Sequence, residues 1–131
     1  MSAYAVLSHT GITAVFASHD VAMPPKLDQL QKIVGGYIEP AFTVVSPLGG
    51  HRCITGYVNE EGLLIDLPRF IFLSSVRYHT YLAGNMAIVG LDTSTGKTVT
   101  LTEDEIEWVK RHIRVISNEN GYQTFIVHFD A

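Results

Sequence analysis

The sequence has little sulfur, little charge and no long apolar run. It contains one cysteine, Cys53, so an intramolecular disulfide is impossible and a small disulfide-stabilised secreted scaffold is excluded. No run approaches the about 18 apolar residues of a membrane-spanning helix, so no membrane partner is expected. The first residues show no basic segment ahead of an apolar run, and the expected location is therefore a reducing cytoplasm.

Positive charge is also scarce. The chain has 9 lysines and arginines against 13 carboxylates, which gives a net charge of −4. A protein that binds phosphate backbones needs clustered positive charge. The basic group at Lys110, Arg111 and Arg114 falls in the second half of a predicted helix, where cations suit the negative end of the helix dipole. Nucleic acid is therefore not expected as a partner.

Apolar residues, by contrast, are plentiful. They make up 47% of the 131 residues, against 17% charged, which is typical of a compact globular protein. This length suits one domain, so residues 1–131 are predicted to form a single domain. Strand and helix patterns do not alternate regularly along the chain. The predicted class is α+β, with a largely antiparallel sheet of about six to seven strands and two to three helices.

The first half of the chain gives clear local patterns. Residues 3–8 and 12–17 alternate in polarity around a short turn and predict a β-hairpin. A short helix with one apolar face is predicted after Pro24-Pro25, and Gly35 stands where such a helix ends. A strand over residues 37–45 follows, and because Pro40 lacks a backbone donor, this strand is expected at a sheet edge or broken.

The second half contains two predicted helices. Pro68 at a first helical position favours a helix over residues 69–78, although the aromatic and β-branched content also fits a strand. Thr102 and Glu105 have capping-box spacing and begin a helix predicted over residues 103–117, with apolar residues at helical intervals. The final segment, YQTFIVHFD, predicts a strand.

The segment VGGYIEP poses the main functional question. In one interpretation Gly35 ends the helix and Gly36 turns the chain into the next strand. In the other, the two glycines allow a ligand to approach the backbone closely, while Glu39 or Asn59 recognises its polar groups. Glu39 lies near the start of one predicted strand and Glu60 just after the end of its partner, so the two are expected close in space. The candidate ligand-binding residues are Gly35, Gly36, Glu39, Asn59 and Glu60.

Other chemical motifs are weak. The string GLDTSTGKT resembles a phosphate-binding loop, but five residues separate Gly90 from Gly96 instead of four, and a strand pattern follows where a helix is required. The six histidines show no ligand spacing typical of a zinc site. No catalytic residue, metal site or cofactor is predicted, and the sequence favours a protein that is not an enzyme.

Four segments together resemble a known family: LQKIVGGYIE, GYVNEEGLL, MAIVG and LTEDEIEWV. They resemble a small domain family of unknown function found in bacteriophages and in bacteria, notably actinobacteria and their phages. The resemblance covers residues 1 to about 110, with V-G-G-Y-I-E and V-N-E-E-G-L-L as its specific parts. It implies a phage or prophage gene product that acts in the host cytoplasm, and it implies no particular activity.

Three functional hypotheses follow. The first is a non-catalytic phage accessory protein that binds a host protein or assembles with itself, for instance as a homodimer, through the edge strand at Pro40 or the helix that carries Trp108. The second is a binder of a small ligand or nucleotide, with its pocket at the Gly35-Gly36 corner. The third and weakest is a metal-dependent hydrolase that uses carboxylates near Glu39 and Glu60.

Overall fold

A computed structural model of the chain describes residues 3–10, 13–21, 23–75, 79–117, 119, 121 and 123–129. These residues form ten strands and two helices. In chain order the elements are β1 (Ala3–Thr10), β2 (Thr13–Asp20), α1 (Leu27–Val34), β3 (Ile38–Val45), β4 (Arg52–Asn59), β5 (Ile71–Ser75), β6 (His79–Leu82), β7 (Met86–Asp92), β8 (Lys97–Val99), α2 (Glu103–Arg111), β9 (Ile113–Ser117) and β10 (Gln123–Phe129). Neither helix, within these ranges, is long and apolar enough to cross a membrane.

The strands form two sheets. The first sheet has the order β2-β1-β7-β4-β3, with β8 also paired to β7, and all its pairings are antiparallel. The second sheet has the order β6-β5-β10-β9, in which β5 and β10 run parallel. The antiparallel first sheet of six strands and the two helices agree with the prediction, but the second sheet was not predicted, and the fold is mostly β and not clearly α+β. Long-range pairing turned more of the chain into strands than its local patterns indicated.

Both sheets contribute to one hydrophobic core. Leu7, Ile54 and Ile88 of the first sheet belong to the same buried cluster as Ile71 and Phe125 of the second. A smaller cluster joins α1 to the first sheet, where Leu30 packs with Ala87 and Val89 of β7. Because successive residues of a strand point to opposite faces, one face of β7 packs in the main core and the other face packs against α1.

A β-bulge in β3 sets the side-chain directions at this edge of the first sheet. The pairing of β3 with β4 shifts register between Pro40 and Phe42. Ile38 therefore packs with the α1 cluster, whereas Phe42, also even-numbered, lies in the main core. The strand lies at the sheet edge, which confirms the prediction made from Pro40.

The helix predicted over residues 69–78 is wrong. Ile71–Ser75 forms β5, which pairs with both β6 and β10, and residues 76–78 lie outside the described part of the chain. Pro68 does not begin a helix. Its carbonyl accepts a hydrogen bond from the Gly84 N–H at 2.8 Å and not from the residue four positions on, as it would in a helix. This segment is rich in β-branched and aromatic residues, which favour strands, and it pairs with strands on both sides. That pairing determined its structure in spite of the helix start indicated by the proline.

The helix predicted over residues 103–117 is wrong in its second half. The helix ends at Arg111, and the chain continues as β9, which pairs with β10. Ile113 and Ile116 continue the helical spacing of the apolar residues only by coincidence, because they belong to a strand. The predicted start is confirmed: the Thr102 Oγ accepts from the Glu105 N–H at 3.2 Å.

The remaining local predictions hold. The hairpin of β1 and β2, a strand in the segment predicted over residues 37–45, α1 and the final strand are all present. The segment that resembles a phosphate-binding loop is the turn between β7 and β8, closed by a 2.7 Å hydrogen bond from the Gly96 N–H to the Asp92 carbonyl. It opens no helix, as the strand pattern after Lys97 predicted.

Candidate functional site

The C-terminal end of α1 forms a corner at the two glycines. Gly35 has a φ of 83°, a left-handed conformation that side chains disfavour. The N–H groups of Gly35 and Gly36 both donate to the carbonyl of Gln31, at 2.8 and 3.0 Å. This arrangement satisfies the end of the helix and turns the chain towards β3. It confirms that Gly35 ends the helix and Gly36 turns the chain.

Asn59, the last residue of β4, holds this corner in place. Its side chain is buried, its Nδ2 donates to the Val34 carbonyl at 3.2 Å, and its Oδ1 accepts from the Glu61 N–H at 2.8 Å. A Cβ atom on Gly36 would lie 2.8 Å from this Nδ2. Gly36 is therefore required because the amide of Asn59 comes so close to the backbone.

A second amide acts in the same way. The Nδ2 of Asn85 donates to the Ile33 carbonyl at 3.2 Å. The last carbonyls of a helix have no partner within the helix itself. Asn59, at the end of β4, and Asn85, directly before β7, supply those partners, and so they attach α1 to the first sheet.

A cavity of about 370 Å³ lies beside this corner. It is lined by Gln31, Gly35, Gly36, Tyr37, Asn59, Glu61 and Ile65. Three of the five candidate ligand-binding residues, Gly35, Gly36 and Asn59, thus come together at one cavity, whereas Glu39 and Glu60 are not among its lining residues.

The two other candidates lie elsewhere. Glu39 pairs with Val58, one position along from Ile38 and its partner Asn59, so it belongs to the sheet face opposite the corner. Glu60 is exposed at the start of a turn, and its N–H donates to the Tyr37 carbonyl at 2.9 Å. In the part of the chain that the structure describes, no group of three or more His, Cys, Asp or Glu residues could hold a metal ion.

An exposed apolar surface adjoins the cavity. Leu63, Leu64 and Ile65 are 57%, 86% and 52% exposed, and Tyr37 is 66% exposed. Tyr37 and Ile65 line the same cavity, so the surface is continuous from the turn segment to the start of β3. We call these four residues the apolar patch.

Backbone hydrogen bonds give the patch a defined shape. The Gly62 N–H donates to the Asn59 carbonyl at 3.1 Å, the Ile65 N–H to Glu61 at 3.0 Å, and the Leu67 N–H to Gly62 at 2.9 Å. The sequence interpretation missed this surface. Its signal was an apolar triplet, Leu-Leu-Ile, that neither alternates like a strand nor belongs to a helix and that lies between acidic residues.

The start of α2 contains a buried charged network. The Glu105 side chain is fully buried, and its Oε1 lies 2.6 Å from the Arg52 Nη2. Its Oε2 accepts from the Ser46 Oγ at 2.6 Å and from the Arg52 Nε at 3.2 Å. Burial raises the pKa of Glu105, but the hydrogen bonds from Arg52, Ser46 and the Thr102 N–H outweigh it and hold the pKa below its ordinary value.

This network is structural. The Arg52 Nη2 also donates to the Thr100 carbonyl at 2.9 Å, so the pair joins the β3–β4 hairpin to the segment that leads into α2. Both carboxylate oxygens of Glu105 are engaged in these hydrogen bonds. The sequence identified Glu105 only as the third residue of a capping box, a position that is usually solvent-exposed.

The geometry defines a mostly β, two-sheet protein with an exposed apolar patch beside a helix corner. The chain belongs to the family described as Domain of unknown function (DUF3846), whose model matches residues 11–114. The resemblance to a family of unknown function is thereby confirmed. No curated protein and no solved structure matches the chain.

Proposed function

We propose that this protein is a non-catalytic phage or prophage accessory protein that binds a host protein in the host cytoplasm through the apolar patch. The exposed triplet Leu63-Leu64-Ile65 beside Tyr37 is the observation that carries the proposal. The phage origin and the cytoplasmic location rest on the resemblance of the VGGYIE and VNEEGLL segments, which contain Tyr37, Leu63 and Leu64 of this surface.

The physical argument concerns the cost of leaving these side chains in water. Full burial of one leucine or isoleucine side chain contributes about 1.5–3 kcal/mol, and three such side chains are adjacent here. Contiguous apolar surface rimmed by polar residues is typical of interaction sites. Tyrosine is enriched in interfaces because it offers a large contact area at low entropic cost. The rim here includes the exposed Glu60, Glu61 and Asp66.

The polar groups at the corner favour a protein partner over a small ligand. Both polar atoms of the Asn59 side chain already bond to the protein itself, so the residue that was expected to recognise a ligand serves the corner instead. The side chains of the apolar patch, by contrast, are more than half exposed to solvent. A partner that covers the patch would gain apolar burial without breaking any of these hydrogen bonds.

A pull-down from host extract tests this function, with the wild-type protein compared against Leu64→Glu. We expect a specific host protein to bind the wild type and to be lost from Leu64→Glu, because a carboxylate in the buried centre of an interface is costly. Leu48→Glu is the matched control, since Leu48 is 49% exposed in a turn away from the patch. Both variants should melt within a few degrees of the wild type, because the replaced side chains are exposed.

Two results would contradict the proposal. One is a partner retained equally by Leu64→Glu and the wild type. The other is a dimer in sedimentation equilibrium that Leu64→Glu dissociates, which would assign the patch to self-assembly instead.

The second candidate function is the binding of a small ligand or nucleotide at the corner. Its specific support is the cavity of about 370 Å³, which falls within the usual range of ligand pockets. A thermal-shift screen against nucleotides, cyclic nucleotides and divalent metals tests it. A ligand at a hundredfold its dissociation constant adds about 2.7 kcal/mol of stability. A shift that disappears in Glu61→Ala would favour this function, and no shift with any compound would remove it.

A further inference from the structure

The cavity beside the glycine corner has a negative lining. Glu61 is one of its lining residues, and among the described residues that line it there is no lysine, arginine or histidine. The C-terminal end of α1 borders the cavity at Gln31 and Gly35, and a helix carries partial negative charge at this end. Lys32, the basic residue in the last turn of α1, lines a separate cavity. The lining therefore favours a cation.

The backbone of Glu61 is fixed at the cavity, while its carboxylate is outside the ion pairs of the fold. The Glu61 N–H donates to the Asn59 Oδ1 at 2.8 Å, and its carbonyl accepts from the Ile65 N–H at 3.0 Å. In the described part of the chain, the ion pairs involve Arg52 and Lys110, and none includes Glu61. The charge of Glu61 is therefore available to a group from outside the chain.

The segment that carries most of the apolar patch is acidic. Residues 53–68 contain three carboxylates, Glu60, Glu61 and Asp66, all of them exposed, and no lysine, arginine or histidine. Arg69, the next basic residue along the chain, is exposed but is not a lining residue of the cavity. Complementary charge is what selects partners at interfaces, so the surface that covers the patch is expected to be basic at its rim.

Tyr37 decides which cation fits best. Its ring is 66% exposed and belongs both to the cavity lining and to the apolar patch. A guanidinium group stacks on an aromatic ring and donates two parallel hydrogen bonds to a carboxylate, whereas an ammonium group acts as a point charge. Arginine is also enriched in interfaces, and lysine is depleted. A cavity of about 150 Å³ holds benzene, so about 370 Å³ accommodates a guanidinium with its methylene groups.

We propose that the cavity binds an arginine side chain of the partner protein that covers the apolar patch. The guanidinium pairs with the Glu61 carboxylate and stacks on Tyr37, and apolar neighbours of the arginine cover Leu63 and Leu64. This inference rests on the proposed function, and it specifies the partner surface as apolar residues that flank an arginine.

NMR titration of the ¹⁵N-labelled protein with synthetic peptides tests the proposal. The probe is the capped tripeptide Leu-Arg-Leu, in which apolar residues flank an arginine. The matched control has citrulline in place of arginine, which keeps the shape and removes the charge. A lysine peptide tests the preference for guanidinium, and N-acetylarginine amide tests whether the flanking apolar residues contribute.

We expect the arginine peptide to shift the amide signals of Gly35, Gly36 and Glu61 and to leave Gly96, in the turn between β7 and β8, unchanged. The citrulline peptide should bind at least about fivefold more weakly, because it lacks the charge, and the lysine peptide should fall between the two. Glu61→Gln should weaken binding of the arginine peptide about fivefold. Glu60→Gln, which removes an adjacent exposed carboxylate outside the cavity lining, should change the affinity by less than about twofold.

Several outcomes would overturn the proposal. Equal binding of the arginine and citrulline peptides would show that the cavity does not select a cation. An arginine peptide that binds Glu61→Gln as tightly as the wild type would exclude the ion pair, and the absence of shifts at the corner with every peptide would exclude the site. Equal affinity of N-acetylarginine amide and the tripeptide would assign the cavity to a small cationic ligand.

The pull-down from host extract separates this inference from the proposed function. Glu61→Gln should retain at least about fivefold less host protein than Glu60→Gln. If Leu64→Glu loses the host protein and Glu61→Gln retains it fully, the proposed function stands and the arginine site is wrong. If no host protein binds the wild type while the arginine peptide binds in a manner that depends on Glu61, the cation site stands and the proposed function is wrong.

Discussion

The two helices are held at one end by different kinds of polar contact. The C-terminal end of α1 is held by the neutral amides of Asn59 and Asn85, which bond to carbonyl groups. The N-terminal end of α2 is held by the buried carboxylate of Glu105, which is ion-paired with Arg52. The amide contacts leave a corner, a cavity and the apolar patch at the surface. The charged contacts engage both carboxylate oxygens of Glu105, and we therefore propose a structural role for the end of α2 and a binding role for the end of α1.

Removal of Arg52 should have the largest effect on stability. In Arg52→Ala the carboxylate of Glu105 stays buried and loses its charged partner, and the free energy of unfolding should fall by about 3 kcal/mol. Urea denaturation measures this loss. Lys110→Ala removes an exposed pair with Glu107 and should cost about 0.5 kcal/mol or less. Equal losses in the two variants would mean that the buried network does not anchor α2.

A substitution at the corner held by Asn59 should lower the free energy of unfolding less than Arg52→Ala does. In Gly36→Ala the new Cβ would lie 2.8 Å from the Asn59 Nδ2, so this amide must move and weaken its bond to the Val34 carbonyl. We expect a loss of about 1–2 kcal/mol in the free energy of unfolding.

A double-mutant cycle sharpens this test. Gly36→Ala combined with Asn59→Ala should cost less than the sum of the two single changes, because the smaller side chain leaves room for the new methyl group. Additive losses would show that the close approach of Asn59 is not the reason for glycine at position 36.

The pH dependence of stability should separate the charged anchor from the neutral one. The pKa of Glu105 is below its ordinary value of 4.5 in the folded protein, so the ionised side chain stabilises the fold above about pH 4.5. This contribution is lost as the pH falls through the lower, folded-state pKa. In urea titrations between about pH 6 and 3, the wild type should lose more stability than Glu105→Gln.

Gly36→Ala serves as the control in these titrations, because no ionisable group takes part in its effect. It should retain the wild-type dependence on pH, at a lower stability throughout. A Glu105→Gln variant with the same acid sensitivity as the wild type would show that other carboxylates control the acid transition.

Local patterns predicted the elements that depend on neighbours in sequence. Four of these predictions rest on turn, cap and proline chemistry: the N-terminal hairpin, the end of α1 at Gly35, the edge position of the strand with Pro40 and the capping box at Thr102. These effects act within a few residues, so the sequence contains them directly.

The errors arose where distant partners decided the structure. Residues 71–75 became a strand because β6 and β10 lie on either side of it. Residues 113–117 form a strand and do not continue the helix, because they pair with β10. For residues 71–75 the local pattern supported both helix and strand, whereas for residues 113–117 it indicated a helix. In both places contacts from far along the chain determined the result.

The candidate site divides in the same way. The sequence by itself determined the glycine corner, because a left-handed helix end and a tight turn need glycine at Gly35. Only the tertiary structure decided that Asn59 joins that corner while Glu39 lies on the opposite face, since this follows from the register of β3 with β4. The burial of Glu105 and the exposure of Leu64 were likewise decided by packing, because residue type alone does not fix which side chains a fold covers.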